Sequence, residues 1–264
     1  MGQAFRALPT SCVAEHGRST MDFFKYGGDK SFYFSPSQRT VIAYRVSIWV
    51  IPVVVAVTFH EAAHGFVANI LGDDTAGRLG RVSFNPTKHI DLFGTIMLPA
   101  LLLLARAPFL FGYAKPVPVN FRALHNPRRD MILVAAAGPA MNLLLATLAA
   151  LALHLLSFFP ASVGAWIAEN LKNALVLNVV LAVFNLLPLP PLDGGRIVTG
   201  VLPKALAARY SQLEPYGFPL LIGLIFVLPV LGTQLGINLD VISRVISRLT
   251  NAIVDGILRM TVNV

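Results

Sequence analysis

Three residues in the run TFHEAAHGF, His60, Glu61 and His64, have the types and the spacing for metal-assisted hydrolysis. Histidines at i and i+4 on a helix project from one face, a turn apart. Both imidazoles can then bind one Zn2+, and a glutamate beside them can take the proton of an attacking water. Catalytic zinc usually has three protein ligands and an open position. The chain has one cysteine, Cys12, so an internal disulfide and a thiolate zinc site are both excluded. The third ligand must be His, Asp or Glu from elsewhere. The best candidate is Asp193, in FNLLPLPPLDGGRI. Pro188, Pro190 and Pro191 are expected to end the preceding helix and impose extended backbone. Gly194 and Gly195 then let the chain turn, presenting the carboxylate on a non-helical bend. The bland alternatives are two satisfied core histidines, a surface glutamate and a solvated aspartate at a helix end. The apolar surroundings weigh against them, because ionisable groups inside a membrane helix are costly and usually functional.

The elements that must hold these groups are membrane helices. Of 264 residues, 55% are hydrophobic and 13% charged, against roughly 25% charged in soluble domains. Mean hydropathy is +0.68. The net charge of +8 comes with no basic stripe of interleaved aromatics, so nucleic-acid binding is not expected. Apolar runs at about 41–71, 131–159, 170–190 and 216–232 read as spans, and the more amphipathic 237–258 reads as a fifth. Residues 94–112 are apolar but contain Pro99, Arg106 and Pro108, which suits a re-entrant segment. The expected fold is thus an all-α polytopic membrane protein of about five transmembrane helices, a re-entrant segment and short extended membrane-edge strands. Residues 1–40 read as a tail without a signal-peptide core, and 41–264 as one integral membrane domain.

Loops 72–92, 113–130 and 191–213 contain three, four and three Lys/Arg, while the connections at 160–169 and 233–236 contain none. The basic loops belong on the cytoplasmic side, against anionic lipid. This places the tail outside despite its five Lys/Arg, which the weaker hold of the rule on longer tails allows.

The combination of HEAAH on an early membrane helix with NLLPLPPLDGG on a later one resembles the site-2 protease family of membrane-embedded zinc peptidases. A third feature, AAAGPAMN at 135–142 with Gly138, Pro139 and Asn142, matches as well. The resemblance covers about residues 55–200. It implies that His60, His64 and Asp193 bind one zinc, that Glu61 is the base and that Asn142 belongs to the active site. The chain has no insertion of PDZ size, and resembles a compact bacterial branch of the family. The expected activity is hydrolysis of peptide bonds in membrane-spanning protein substrates, in a bacterial plasma membrane, with the site open to the cytoplasm.

Asn142 could donate to substrate or to the tetrahedral oxyanion, or could simply join helices. Residues 115–119 (KPVPV) and 80–84 (GRVSF) are candidate edges for pairing with an unwound substrate, or ordinary interfacial loops. Two rival functions are a zinc transporter and an inactive relative that binds clients. Metal transport would call for further donor groups along a path, and loss of activity sits poorly with Glu61 and all three ligands being present.

Overall fold

The computed structural model describes residues 36–89, 91–97, 101 and 115–262. The helices are α1 (Pro36–Ile70), α2 (Thr75–Arg78), α3 (Pro127–Ala152), α4 (Ala161–Asn185), α5 (Asp193–Val201), α6 (Lys204–Ser211), α7 (Gly217–Ile222), α8 (Leu228–Gln234) and α9 (Val241–Val262). Among the described residues, four stretches are long and apolar enough to cross a membrane: Ala43–Ile70, Pro127–Phe158, Ala161–Asn185 and Lys204–Gln234, the last running through α6, α7 and α8. The protein is a multi-pass helical membrane protein.

About five spans were expected, and the structure differs in informative ways. The region 237–258 does form a helix, α9, but it is not among the four. Its Arg244, Arg248, Asp255 and Arg259 give it a charged face. Its Val254 and Ile257 pack into a core with Ala146, Ala149, Ala150, Leu175, Val179 and Val183 from α3 and α4. The alanines let the two backbones approach closely, as packing in lipid favours. The third span starts at residue 161 rather than 170. Polar groups in 160–169 are held within the helix or against its neighbour: Glu169 pairs with Lys172 at 3.1 Å, and the Trp166 indole N–H donates to Ser47 Oγ at 3.0 Å. The basic stretch 191–213 likewise holds two short helices rather than a loop.

Helix α3 begins where its sequence says it should. Pro127 occupies the first turn, where a missing N–H costs nothing. The Asn126 N–H donates to the Asp130 carboxylate at 2.7 Å, and the Asp130 N–H donates back to the Asn126 carbonyl at 2.8 Å.

No strand occurs among the described residues. Residues 80–84 form turns and bends, and 115–120 are without regular structure. The re-entrant segment expected at 94–112 and the tail at 1–40 fall largely outside the described residues.

Candidate active site and metal centre

His60 and His64 lie one turn apart on α1, both only 7% exposed. Asp193 reaches them from the other side. It is the first residue of α5, not a point on an open bend as its prolines suggested. Its place depends on a tightly folded turn. A Cβ on Gly194 would lie 2.2 Å from the Leu187 carbonyl oxygen, so the residue after Asp193 must be glycine. The reason is close approach rather than a left-handed backbone: among the described residues, positive φ occurs at Gly72, Gly80 and Gly236 and not at Gly194.

The three donor atoms form a nearly equilateral triangle. His60 Nε2 and His64 Nε2 are 3.1 Å apart, and Asp193 Oδ2 is 3.3 Å from each. A tetrahedral zinc with bonds of about 2.0–2.1 Å requires ligand–ligand edges of about 3.3–3.4 Å. The triangle therefore has the dimensions of one face of that tetrahedron.

The protonation pattern points the same way. His64 Nδ1 donates to the Val134 carbonyl at 2.7 Å. A carbonyl can only accept, so Nδ1 carries a proton, and in the neutral imidazole Nε2 then carries the lone pair. His60 Nδ1 donates to Asn142 Oδ1 at 2.6 Å, with the same consequence. With both imidazoles neutral, two lone pairs and a carboxylate oxygen converge on one point. Asp193 Oδ2 is buried with no conventional hydrogen-bond donor. A cation satisfies all three at once. These are the sole residues among those described that group three metal-binding side chains in this way.

The space for the ion is left by α3. A Cβ added to Gly138 would lie 2.4 Å from His64 Nε2 and 2.7 Å from His60 Nε2. The sequence marks Gly138 within AAAGPAMN but not its task, which is to keep an atom out of the metal's place.

Asn142 is 0% exposed and stands behind His60. Besides holding His60, its amide donates to Asn178 Oδ1 at 2.8 Å and to the Ala56 carbonyl at 3.3 Å. Both amide hydrogens are committed inside the protein, so none is left for an oxyanion. The geometry gives Asn142 the part of orienting His60. Asn178, which sequence reasoning missed, completes the chain across α4. Its signal was an amide in the middle of an apolar span. Replacing Asn142 by alanine should weaken zinc binding about 10–100-fold, the usual cost of losing the group that orients a metal-binding imidazole. Competition with a chelator measures this. Asn142→Asp keeps an acceptor for His60 and should bind zinc more tightly than the alanine variant.

Glu61 is half-buried beside His60. Its Oε2 accepts the Val117 N–H at 2.8 Å. The segment expected to pair with substrate therefore turns a donor toward Glu61. Pro116 and Pro118 have no N–H, and the Lys115 N–H donates to the His89 carbonyl at 2.9 Å. Residues 115–118 thus have no free N–H to offer a pairing strand.

A buried metal triangle on apolar helices, with a glutamate beside it, defines a membrane zinc metalloprotease. The profile of Peptidase family M50 matches residues 48–175 and 161–228. The chain belongs to this family, that of the site-2 proteases. It is similar to YwhC of Bacillus subtilis, named as a candidate zinc metalloprotease, with 43% identity over 184 residues, 68% of this chain and 80% of that protein. It is also similar to two mycobacterial proteins named Rip2, again as candidate zinc metalloproteases. The identity is 30% over 173 residues for that of Mycolicibacterium smegmatis and 33% over 162 residues for that of Mycobacterium tuberculosis. The chain covers less than two thirds of these two, 63% and 54% of their lengths. No solved structure matches it.

Proposed function

We propose that this protease cuts membrane-spanning proteins within the bilayer, as a step of regulated intramembrane proteolysis. His60, His64 and Asp193 hold one zinc, Glu61 acts as base and Asn142 positions His60. The observation that carries the reading is depth. His60 and His64 lie ten and six residues before the end of the span Ala43–Ile70, or about 15 Å and 9 Å along a helix rising 1.5 Å per residue. A site there meets peptide bonds that are themselves in the membrane.

Zinc bound at the triangle supplies a Lewis acid that polarises the scissile carbonyl and acidifies water. The protein's own groups do the rest. Glu61 accepts the proton of the attacking water and returns it to the leaving amine. The Val134 carbonyl and Asn142 keep both imidazoles with Nε2 facing the metal. The basic loops favour an opening of the site toward the cytoplasmic face of a bacterial plasma membrane.

A helical substrate hides its peptide bonds, so it must unwind before it is cut. Gly or Pro eases unwinding and Leu opposes it. The test is cleavage of a single-span client by the purified protein in lipid vesicles. Chelation should stop cleavage and zinc restore it. Each Gly→Leu change in the client near the cut should slow the reaction roughly fivefold, from the ~0.8–1 kcal/mol difference in helix propensity. Equal cleavage of a soluble protein with no span, with rates blind to helix propensity, would sink the proposal.

A further inference from the structure

Residues 115–120 cross the catalytic helix and are tied down at three points. The Lys115 N–H donates to the His89 carbonyl at 2.9 Å, the Val117 N–H to Glu61 Oε2 at 2.8 Å and the Asn120 N–H to Asp73 Oδ2 at 2.6 Å. Val117 lies between two prolines, so its N–H is the only donor in Pro116-Val117-Pro118, and it goes to the carboxylate beside His60. Its side chain, 7% exposed, packs one turn along the same helix face. A Cβ on Gly65 would lie 2.9 Å from Val117 Cγ1. Glu61 and Gly65 are i and i+4, so one face of α1 receives both the donor and the side chain of Val117.

Both anchors are themselves held. His89 is buried, and its Nε2 donates to the Ser83 carbonyl at 2.8 Å. Asp73 accepts the Thr75 N–H at 3.0 Å and the Thr75 hydroxyl. Burial disfavours the charge on Asp73, but the hydrogen bonds from Thr75 and Asn120 outweigh it and hold its pKa below the usual carboxylate range. That anchor therefore stays ionised above the ordinary value of about 3.9 and is lost only as pH falls through the depressed one.

We infer that the Val117 N–H is a positioning group for peptide hydrolysis: it fixes Glu61 Oε2 and leaves Oε1 to take the proton of the attacking water. The inference rests on Glu61 being the base. A glutamate side chain has three rotatable bonds, and one 2.8 Å bond to a pinned backbone removes most of that freedom before substrate arrives. The prolines hold the segment extended and leave no neighbouring donor to compete for the carboxylate. The segment then serves the base rather than acting as a docking edge.

Val117→Pro deletes the N–H while keeping extended backbone, and Val117→Ala keeps the N–H while trimming the side chain. In vesicles, Val117→Pro should lower kcat about a hundredfold, the cost of roughly 1 Å of misplacement, with KM and bound zinc near native. Val117→Ala should lower kcat by no more than about threefold, the share owed to packing. Amide exchange on the metal-free full chain gives a readout free of activity. The Val117 amide should exchange about tenfold faster in Glu61→Ala, from loss of a bond worth ~1.4 kcal/mol, and keep its protection in Glu61→Gln, whose amide oxygen still accepts. Equal losses of kcat in the two Val117 variants would assign the effect to packing and overturn the inference. So would lost zinc in Val117→Pro, or a native kcat there while Glu61→Gln is inactive. Native cleavage by Glu61→Gln would instead overturn the base assignment, whatever the exchange rates show.

Discussion

Alanine at position 138 is expected to leave the protein folded, inserted and unable to hold zinc. The residue lies inside α3, where Ala is a better helix former than Gly by about 1 kcal/mol. The substitution therefore does not threaten the helix. What it removes is space. The new methyl would stand 2.4 Å from His64 Nε2, 2.5 Å from His60 Cε1 and 2.7 Å from His60 Nε2. Carbon does not approach nitrogen so closely, and neither ring can swing away freely. Each is tied through Nδ1, one to the Val134 carbonyl and the other to Asn142. The methyl would sit against the two nitrogen lone pairs that face the metal. Zinc per chain, measured by elemental analysis of purified protein, should fall by more than about tenfold. Cleavage should fall to the level of chelated native protein, while helical content is unchanged. Full zinc occupancy in Gly138→Ala would show that the metal does not lie within the triangle.

Glu61→Gln should have the opposite profile: zinc retained and cleavage lost. Glu61 is next to His60 in sequence but is not a corner of the donor triangle. Gln has the same shape and still accepts the Val117 N–H, so the segment over the site should stay in place. It cannot accept a proton. Loss of general-base catalysis should slow cleavage by about 10²–10⁴-fold. His60→Ala, His64→Ala and Asp193→Ala should instead lose metal. The contrast between the two groups separates ligands from base. A Gln variant that lost its zinc would make Glu61 a ligand, and one that cleaved at native rates would place the base elsewhere.

Much of the chemistry was legible in the chain because it is local. The pairing of His60 with His64 follows from the helical period alone, and Glu61 comes with it. The long apolar runs follow from the thickness of the bilayer. Asp193 was legible as a carboxylate in an improbable setting. Its seat at the start of α5 was not, because that depends on Gly194 meeting the Leu187 carbonyl, a contact made only once the turn has folded. The start of α4 was hidden for a related reason. The run 160–169 holds Pro160, Gly164 and Glu169, and the bonds of Trp166 to Ser47 and of Glu169 to Lys172 appear only in the fold. The region 237–258 was legible as amphipathic and counted as a fifth span, but its packing through Val254 and Ile257 against the bundle was not legible.

The chain's own pattern thus determines a membrane-embedded helical protein with a metal-hydrolase motif, since hydropathy and i, i+4 spacing act within one element. Tertiary structure alone decides what each partner residue does. Asn142 is a support for His60 because Asn178 and the Ala56 carbonyl claim its amide hydrogens. Gly138 is a void because α3 crosses α1 at the histidines. Val117 faces Glu61 because its segment is pinned at both ends. Each of these depends on where one helix or loop meets another, and hydrogen bonding and close packing between distant residues leave no periodic mark in a single sequence.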